Sequence, residues 1–239
     1  MIISHAKKFI ILVPWKTASS TLHARFEALN ESPYSRFYYF SAHLNRVTHQ
    51  HIGCAEFATY PEANLGYTVA AFIRNPYDRV YSGFIQVQRD LEHQRQAPFP
   101  APWIRDLVLR QLDENQAQLV RADGDFDRWV AGLTEDQIRC VGRNTSLPLH
   151  PVHYWTHLCG EQYVSFIGRV ENFESDLSSC CHRVDVALPS PINRNISGGS
   201  TPFAGEYRHA AAMNAASINK INDLFREDFE LFGYRMIGN

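Results

Sequence analysis

The chain has 239 residues, enough for one sizeable domain with a full hydrophobic core or at most two small ones. Its 45% hydrophobic and 20% charged residues are those of an ordinary soluble globular protein, and a formal charge of −2 argues against broad nucleic-acid binding while leaving room for a local basic pocket. No stretch approaches the ~18 apolar residues of a membrane span. The first apolar run, Phe9 to Pro14, is too short for a signal-peptide core.

In chain order, Phe-Ile-Ile-Leu-Val-Pro (9–14) is a continuous apolar run of the kind that forms a buried parallel strand. It stops at Pro14, and Trp15-Lys16-Thr17-Ala18-Ser19-Ser20 reads as a polar loop. From Thr21 onward, Leu22, Phe26 and Leu29 follow helical spacing, giving strand, loop and helix. A second such unit begins with Tyr67 to Ile73. Asn75 is a good helix N-cap there, Pro76 suits the first helical position, and Tyr77, Val80, Tyr81, Phe84 and Val87 mark one helix face. Arg79 on that helix reads as a solvated charge. Residues 90–145 differ in character. They contain the Pro-rich 97–102 segment, a helical stretch from Trp103 to Leu112 and a polar linker, and read as an insertion or as acceptor-side helices. A third strand is expected at Tyr163 to Ile167, before a helix from about Glu171. Ile218, Ile221, Leu224 and Phe225 then form an amphipathic stripe, followed by Phe229-Glu230-Leu231-Phe232-Gly233-Tyr234. Strands alternating with helices imply an α/β fold with a parallel sheet, here as a single domain over 1–239. The five cysteines (Cys54, Cys140, Cys159, Cys180 and Cys181) have no repeating spacing and read as reduced thiols of a cytosolic protein.

A strand that runs into a small-residue loop and then a helix offers backbone N–H groups to an anion. Lys16 adds a point charge, and Ser19, Ser20 and Thr21 add hydroxyls. The nucleotide-triphosphate loop G-x-x-x-x-G-K-S/T is not matched: both glycines are absent, and the lysine precedes the small residues. The alternative is a Ser-rich helix start with an exposed lysine.

Residues 14–21 resemble the 5′-phosphosulfate loop of sulfotransferases that use the donor PAPS (3′-phosphoadenosine-5′-phosphosulfate). That loop runs Pro-Lys-Thr, then Gly or Ala, then two Ser/Thr residues; Trp15 is an extra residue between the proline and the lysine. The resemblance gives Lys16 the bridging oxygen of the donor, and gives Thr17, Ala18, Ser19, Ser20 and Thr21 the 5′-phosphosulfate. The second unit resembles the same family's 3′-phosphate motif, an arginine at a strand end (Arg74) with a serine eight residues on (Ser82). Arg74 can grip a phosphate bidentately. Phe166-Ile167-Gly168-Arg169-Val170-Glu171-Asn172-Phe173 resembles the I-G-x-x-E-x-F/L signature of carbohydrate sulfotransferases. Leu149 to Trp155 resembles that group's Pro-Gln segment, and Asp228 to Tyr234 its C-terminal tail. Arg194 and Ser197 lie in a polar loop that the resemblance places over the 3′-phosphate and adenine.

A sugar hydroxyl is a weak nucleophile, so a general base is expected, and histidine titrates in the right range. Thr48-His49-Gln50-His51 lies between the two nucleotide motifs. On an extended segment His49 and His51 point to the same side. Glycan 2-O-sulfotransferases carry a His-x-His here, after a Lys-Thr-Ala-Ser loop. That resemblance makes His51 the base and His49 its partner, with His49 or His43 as the alternatives. His150, His153 and His157 have a spacing compatible with a metal site if helical, but no carboxylate or cysteine completes the set and this chemistry needs no metal.

The expectation is therefore an α/β, P-loop-like three-layer fold with a central parallel sheet flanked by helices. It would transfer a sulfuryl group from PAPS to a carbohydrate hydroxyl and release PAP. The resemblance, with no N-terminal anchor, points to a bacterial, cytoplasmic enzyme. The rival readings are transfer to a lipid or small-molecule alcohol, a small-molecule kinase, and a non-catalytic nucleotide-binding module. Missing loop glycines and the lack of a clear magnesium-binding aspartate after a strand speak against the kinase.

Overall fold

The computed structural model describes residues 1–34, 38–42, 45–96, 99–139, 149–191 and 207–238. Its strands are β1 (Ile2–Ser4), β2 (Phe9–Leu12), β3 (Tyr39–Ser41), β4 (Arg46–Thr48), β5 (Thr68–Ile73), β6 (His157–Leu158), β7 (Glu161–Gln162) and β8 (Phe166–Arg169). Its helices are α1 (Ser19–Arg25), α2 (Cys54–Phe57), α3 (Pro76–His93), α4 (Pro102–Arg121), α5 (Phe126–Ala131), α6 (Glu135–Arg139), α7 (Phe173–Arg183), α8 (Ala215–Leu224) and α9 (Arg226–Phe232). They fall into two compact units, one built from Met1–Phe37, His49–Arg74 and Val152–Gly205, the other from Tyr38–Thr48, Asn75–Pro151 and Glu206–Asn239.

The first unit holds a four-stranded sheet in the order β1-β2-β5-β8. β2, β5 and β8 run parallel, as expected of their apolar runs, and all four residues of β2 are buried. β1 departs from the expected all-parallel sheet: it pairs antiparallel with β2 at the edge. Only three residues long, it gives no periodic signal of its own. The third strand also begins later than its apolar run. The N–H groups of Tyr163 and Val164 donate to the Thr156 carbonyl (2.8 and 3.4 Å), so the chain joins β5 only at Ser165, whose N–H reaches the Val69 carbonyl at 2.7 Å.

One sheet face is a continuous core. Phe9, Ile11 and Val13 alternate out of β2 and its extension, Ala70 and Phe72 out of β5, and they pack with Leu22 and Phe26 and with Phe173, Leu177, Cys180 and Cys181 of α7. Arg25, at the end of α1, donates to both carboxylate oxygens of Glu174 on α7 (2.8 and 2.5 Å) and lies 5.4 Å from the centre of the Phe173 ring. This ties the short helix after the Pro14–Ala18 loop to the helix after β8.

In the second unit α3 starts as its sequence requires. Asn75 Oδ1 accepts from the N–H of Tyr77 at 3.0 Å, with Pro76 in the first turn. Arg79 corrects the sequence reading. It is fully buried rather than solvated, ion-paired with Asp228 of α9 (3.6 Å), donating to the His150 carbonyl (2.9 Å) and lying over the Phe225 ring. A helical wheel places a charge on a face but cannot show that a distant carboxylate meets it there. The helix expected at Trp103–Leu112 extends to Arg121 as α4. Its Ile104, Val108 and Leu112, four apart, pack on Tyr38 and on Val47 of the β3–β4 hairpin. α8 carries the expected stripe, with Ile221 and Leu224 buried. Cys54, Cys159, Cys180 and Cys181 are thiols, and Cys140 lies outside the described residues. Among the described residues no helix is long and apolar enough to cross a membrane.

Gly168 shows how tightly β8 is fitted to β5. A Cβ at that position would lie 2.5 Å from the Phe72 ring, which is itself fully buried. Gly168→Ala is expected to destabilise the protein by about 1–3 kcal/mol through overpacking, measured by urea unfolding; an unchanged midpoint would contradict this packing.

Candidate active site

The carboxyl ends of the parallel strands bring the first unit's anion-binding candidates to one sheet edge. Leu12 at the end of β2 pairs with Ala71, and Arg74 follows β5 directly. The loop after β2 and Arg74 therefore leave neighbouring strands, which lie about 5 Å apart, in the same direction.

The loop adopts left-handed backbone at two residues, Lys16 (φ 64°) and Ala18 (φ 63°). These are the kind of conformations that glycines supply in triphosphate loops, reached here without glycine. Thr17 is fully buried and its hydroxyl donates to the Pro14 carbonyl at 3.0 Å, so the main-chain N–H is what Thr17 has left for an anion. Ala18 is the N-cap of α1 and makes no side-chain cap bond; its carbonyl accepts from the N–H of Leu22 at 3.0 Å. Ser19, Ser20 and Thr21 form the first turn of α1. Positive φ at Lys16 and Ala18 just before a helix start is the kind of backbone that can turn N–H groups toward an anion.

His49 and His51 do come together, though not by strand alternation. β4 ends at Thr48, and the segment beyond it folds so that the main-chain N–H of His51 donates to His49 Nδ1 at 3.0 Å. The two rings lie 5.2 Å apart at 77°. His51 Nδ1 lies 2.6 Å from the Val13 carbonyl oxygen. A carbonyl only accepts, so His51 carries its proton on Nδ1 and keeps the lone pair on Nε2. His49 is the reverse: its Nδ1 accepts, so its neutral ring carries the proton on Nε2. Of the two rings, His51 thus presents a basic nitrogen away from its anchor.

Burial holds the His51 imidazole well below its ordinary value, with the charge of neighbouring His49 acting in the same direction and the Val13 hydrogen bond opposing both. His23 on α1 also acts on His51 and is itself pushed down to about 4, chiefly by burial. His23 has the spacing that would have drawn it in, one turn beyond Ser19 and Ser20, but nothing in the sequence pairs it with residue 51. Trp15 was missed as well. Its indole stacks on His51 with centroids 3.9 Å apart and planes at 24°, and meets His49 edge-on at 4.5 Å.

The remaining candidates divide. Ser82 is buried on α3 in the second unit. Arg194, Ser197 and His43 lie outside the described residues. The three late histidines share no helix face. His150 Nδ1 donates to the Ile138 carbonyl, His153 sits in a short turn of helix at Val152–Trp155, and His157 begins β6. Among the described residues no group of three or more His, Cys, Asp or Glu side chains is placed to hold a metal ion.

No curated protein and no solved structure matches the chain. The model of the sulfotransferase family matches residues 1–235. A match over nearly the whole length settles what the lysine loop and the strand-end arginine suggested: the chain belongs to the sulfotransferase family and is a sulfuryl transferase.

Proposed function

We propose that the protein transfers a sulfuryl group from PAPS to a carbohydrate hydroxyl, with His51 as general base. The observation that carries this reading is the attachment of His51 to the donor loop: its Nδ1–H is held by the Val13 carbonyl, one residue beyond β2, which leaves Nε2 as the acceptor of a proton. In the reaction the acceptor oxygen forms a bond to sulfur while the bond from sulfur to the bridging phosphate oxygen breaks. PAP leaves with that electron pair, and the hydroxyl proton passes to His51 Nε2. Lys16 offsets charge developing on the bridging oxygen, and the N–H groups and hydroxyls of residues 17–21 hold the 5′-phosphosulfate. Arg74 and Ser82 keep the 3′-phosphate role that the motif implies, and Arg194 and Ser197 that of a closing loop. His49 orients His51 by accepting its main-chain N–H.

A parallel β2-β5-β8 order with the anion loop after β2 supports a P-loop-like reading of the sheet, and the extent of the family match supports one sulfotransferase domain along the chain. The sugar acceptor rests on the His-x-His that follows a Lys-Thr-Ala-Ser loop, as in glycan 2-O-sulfotransferases. Donor and base are testable before the glycan is known.

PAP should raise the melting temperature in a concentration-dependent way and ATP should not; a preference for ATP in differential scanning fluorimetry would remove PAPS from the proposal. His51→Ala should lower kcat for transfer of labelled sulfate by about 10²–10⁴-fold while PAP affinity stays within about twofold. Retained turnover would move the base elsewhere.

The lowered His51 value also fixes the sign of the pH dependence. The folded protein keeps His51 neutral below the ordinary value of 6.5, so kcat/KM should hold through pH 6.5 and fall only as pH drops through the lower folded value. The unfolded chain takes up its proton near 6.5, so the His51 contribution to stability is complete above that pH and declines progressively below it. Denaturation midpoints of wild type and His51→Asn measured from pH 8 to pH 5 should therefore converge on the acid side. A gap that widens there would refute the assigned direction.

A further inference from the structure

Trp15 is the residue by which the donor loop departs from the Pro-Lys-Thr pattern, and it is also the ring against which both histidines pack. The indole is 6% exposed, His51 is 6% and His49 is 7%, so the three rings form a nearly dry cluster at the end of β2. We infer that Trp15 mounts the base on the donor loop, fixing the plane of the His51 ring and stabilising, through its π-face, the imidazolium that forms when Nε2 takes the acceptor proton. The inference rests on the assignment of His51 as base.

Two contacts together leave the imidazole little freedom. The Nδ1–H bond to Val13 fixes one edge, and the stack at 3.9 Å and 24° fixes the plane. Val13 and Trp15 flank Pro14, whose carbonyl holds the Thr17 hydroxyl. The residues that orient the base and the residues that shape the donor loop are therefore one stretch of chain, 13 to 18.

Burial makes the neutral ring easy to keep and the charged ring costly to form. A base must nevertheless become charged as the proton arrives. Two features favour that state, the Val13 carbonyl and the indole face, and an indole is the best aromatic partner for a cation within about 6 Å of its centre. A leucine of similar bulk would fill the space and supply neither the plane nor the quadrupole.

Trp15→Leu and Trp15→Phe in the full chain separate this role from packing. Trp15→Leu should lose roughly tenfold in kcat and shift the acid limb of kcat/KM to lower pH, with PAP affinity within about twofold, and Trp15→Phe should recover most of both. If Phe and Leu are equally impaired, or if PAP affinity falls in step with kcat while the pH profile stays fixed, Trp15 merely packs the loop and the inference fails. A second measurement needs no turnover. Imidazolium quenches indole emission, and subtracting Trp15→Phe isolates Trp15 from Trp103, Trp129 and Trp155. That emission should drop with acid in wild type and stay flat in His51→Asn; a flat wild-type trace overturns the coupling. If emission titrates but no acceptor is ever sulfated, the coupling stands and the enzymatic reading is what fails.

Discussion

The hydrogen bond from His51 Nδ1 to the Val13 carbonyl is the constraint on which the site depends. A main-chain carbonyl has no proton to give, so the end of β2 dictates the tautomer of a histidine 38 residues further on. It does so because β2 is buried along its whole length and paired on both sides, which leaves the first carbonyl past the strand in a fixed place with a fixed direction. His51 is thus held by the carbonyl that follows a strand buried along its whole length.

The same burial creates the tension that the site has to resolve. A dry imidazole is held neutral, the state that the proposed base role needs, but it resists the charge that taking up a proton would bring. The Val13 carbonyl and the indole face favour that charge without adding a full negative charge to the site. A carboxylate in their place would raise the histidine's affinity for protons more strongly and keep it charged near neutral pH. Neutral partners with oriented dipoles and quadrupoles allow both states.

Much of this was legible in the sequence because it is local. The β2 and β5 runs, the Asn75-Pro76 start of α3 and the stripe of α8 follow from short-range rules of burial, capping and spacing, and each lies where those rules put it. The His-x-His was legible as a pair but for the wrong physical reason. Alternation along a strand was expected, whereas a turn beyond β4 and a shared indole bring the rings together. What could not be read is non-local: Arg79 meeting Asp228, Tyr163 and Val164 bonding to Thr156 rather than to β5, and Trp15 meeting residues 49 and 51. In each case the partner lies dozens of residues away, or one of several equivalent hydrogen-bond acceptors wins.

The loop after β2 illustrates how left-handed backbone can be held without glycine. Left-handed backbone at Lys16 and Ala18 costs about 1–2 kcal/mol at each residue and persists only where the surroundings enforce it. Before the loop, β2 is locked in the sheet. After it, α1 has seven residues, too few to be stable alone, and is held by Leu22 in the core and by the Arg25–Glu174 pair on α7. Between them the Thr17 hydroxyl closes on the Pro14 carbonyl. A loop clamped at both ends and across its middle does not need glycine's freedom, because its conformation is imposed from outside rather than chosen locally. The two left-handed residues are thus held in place when the protein folds, so that in the proposed role the loop would need little further ordering to meet an anion.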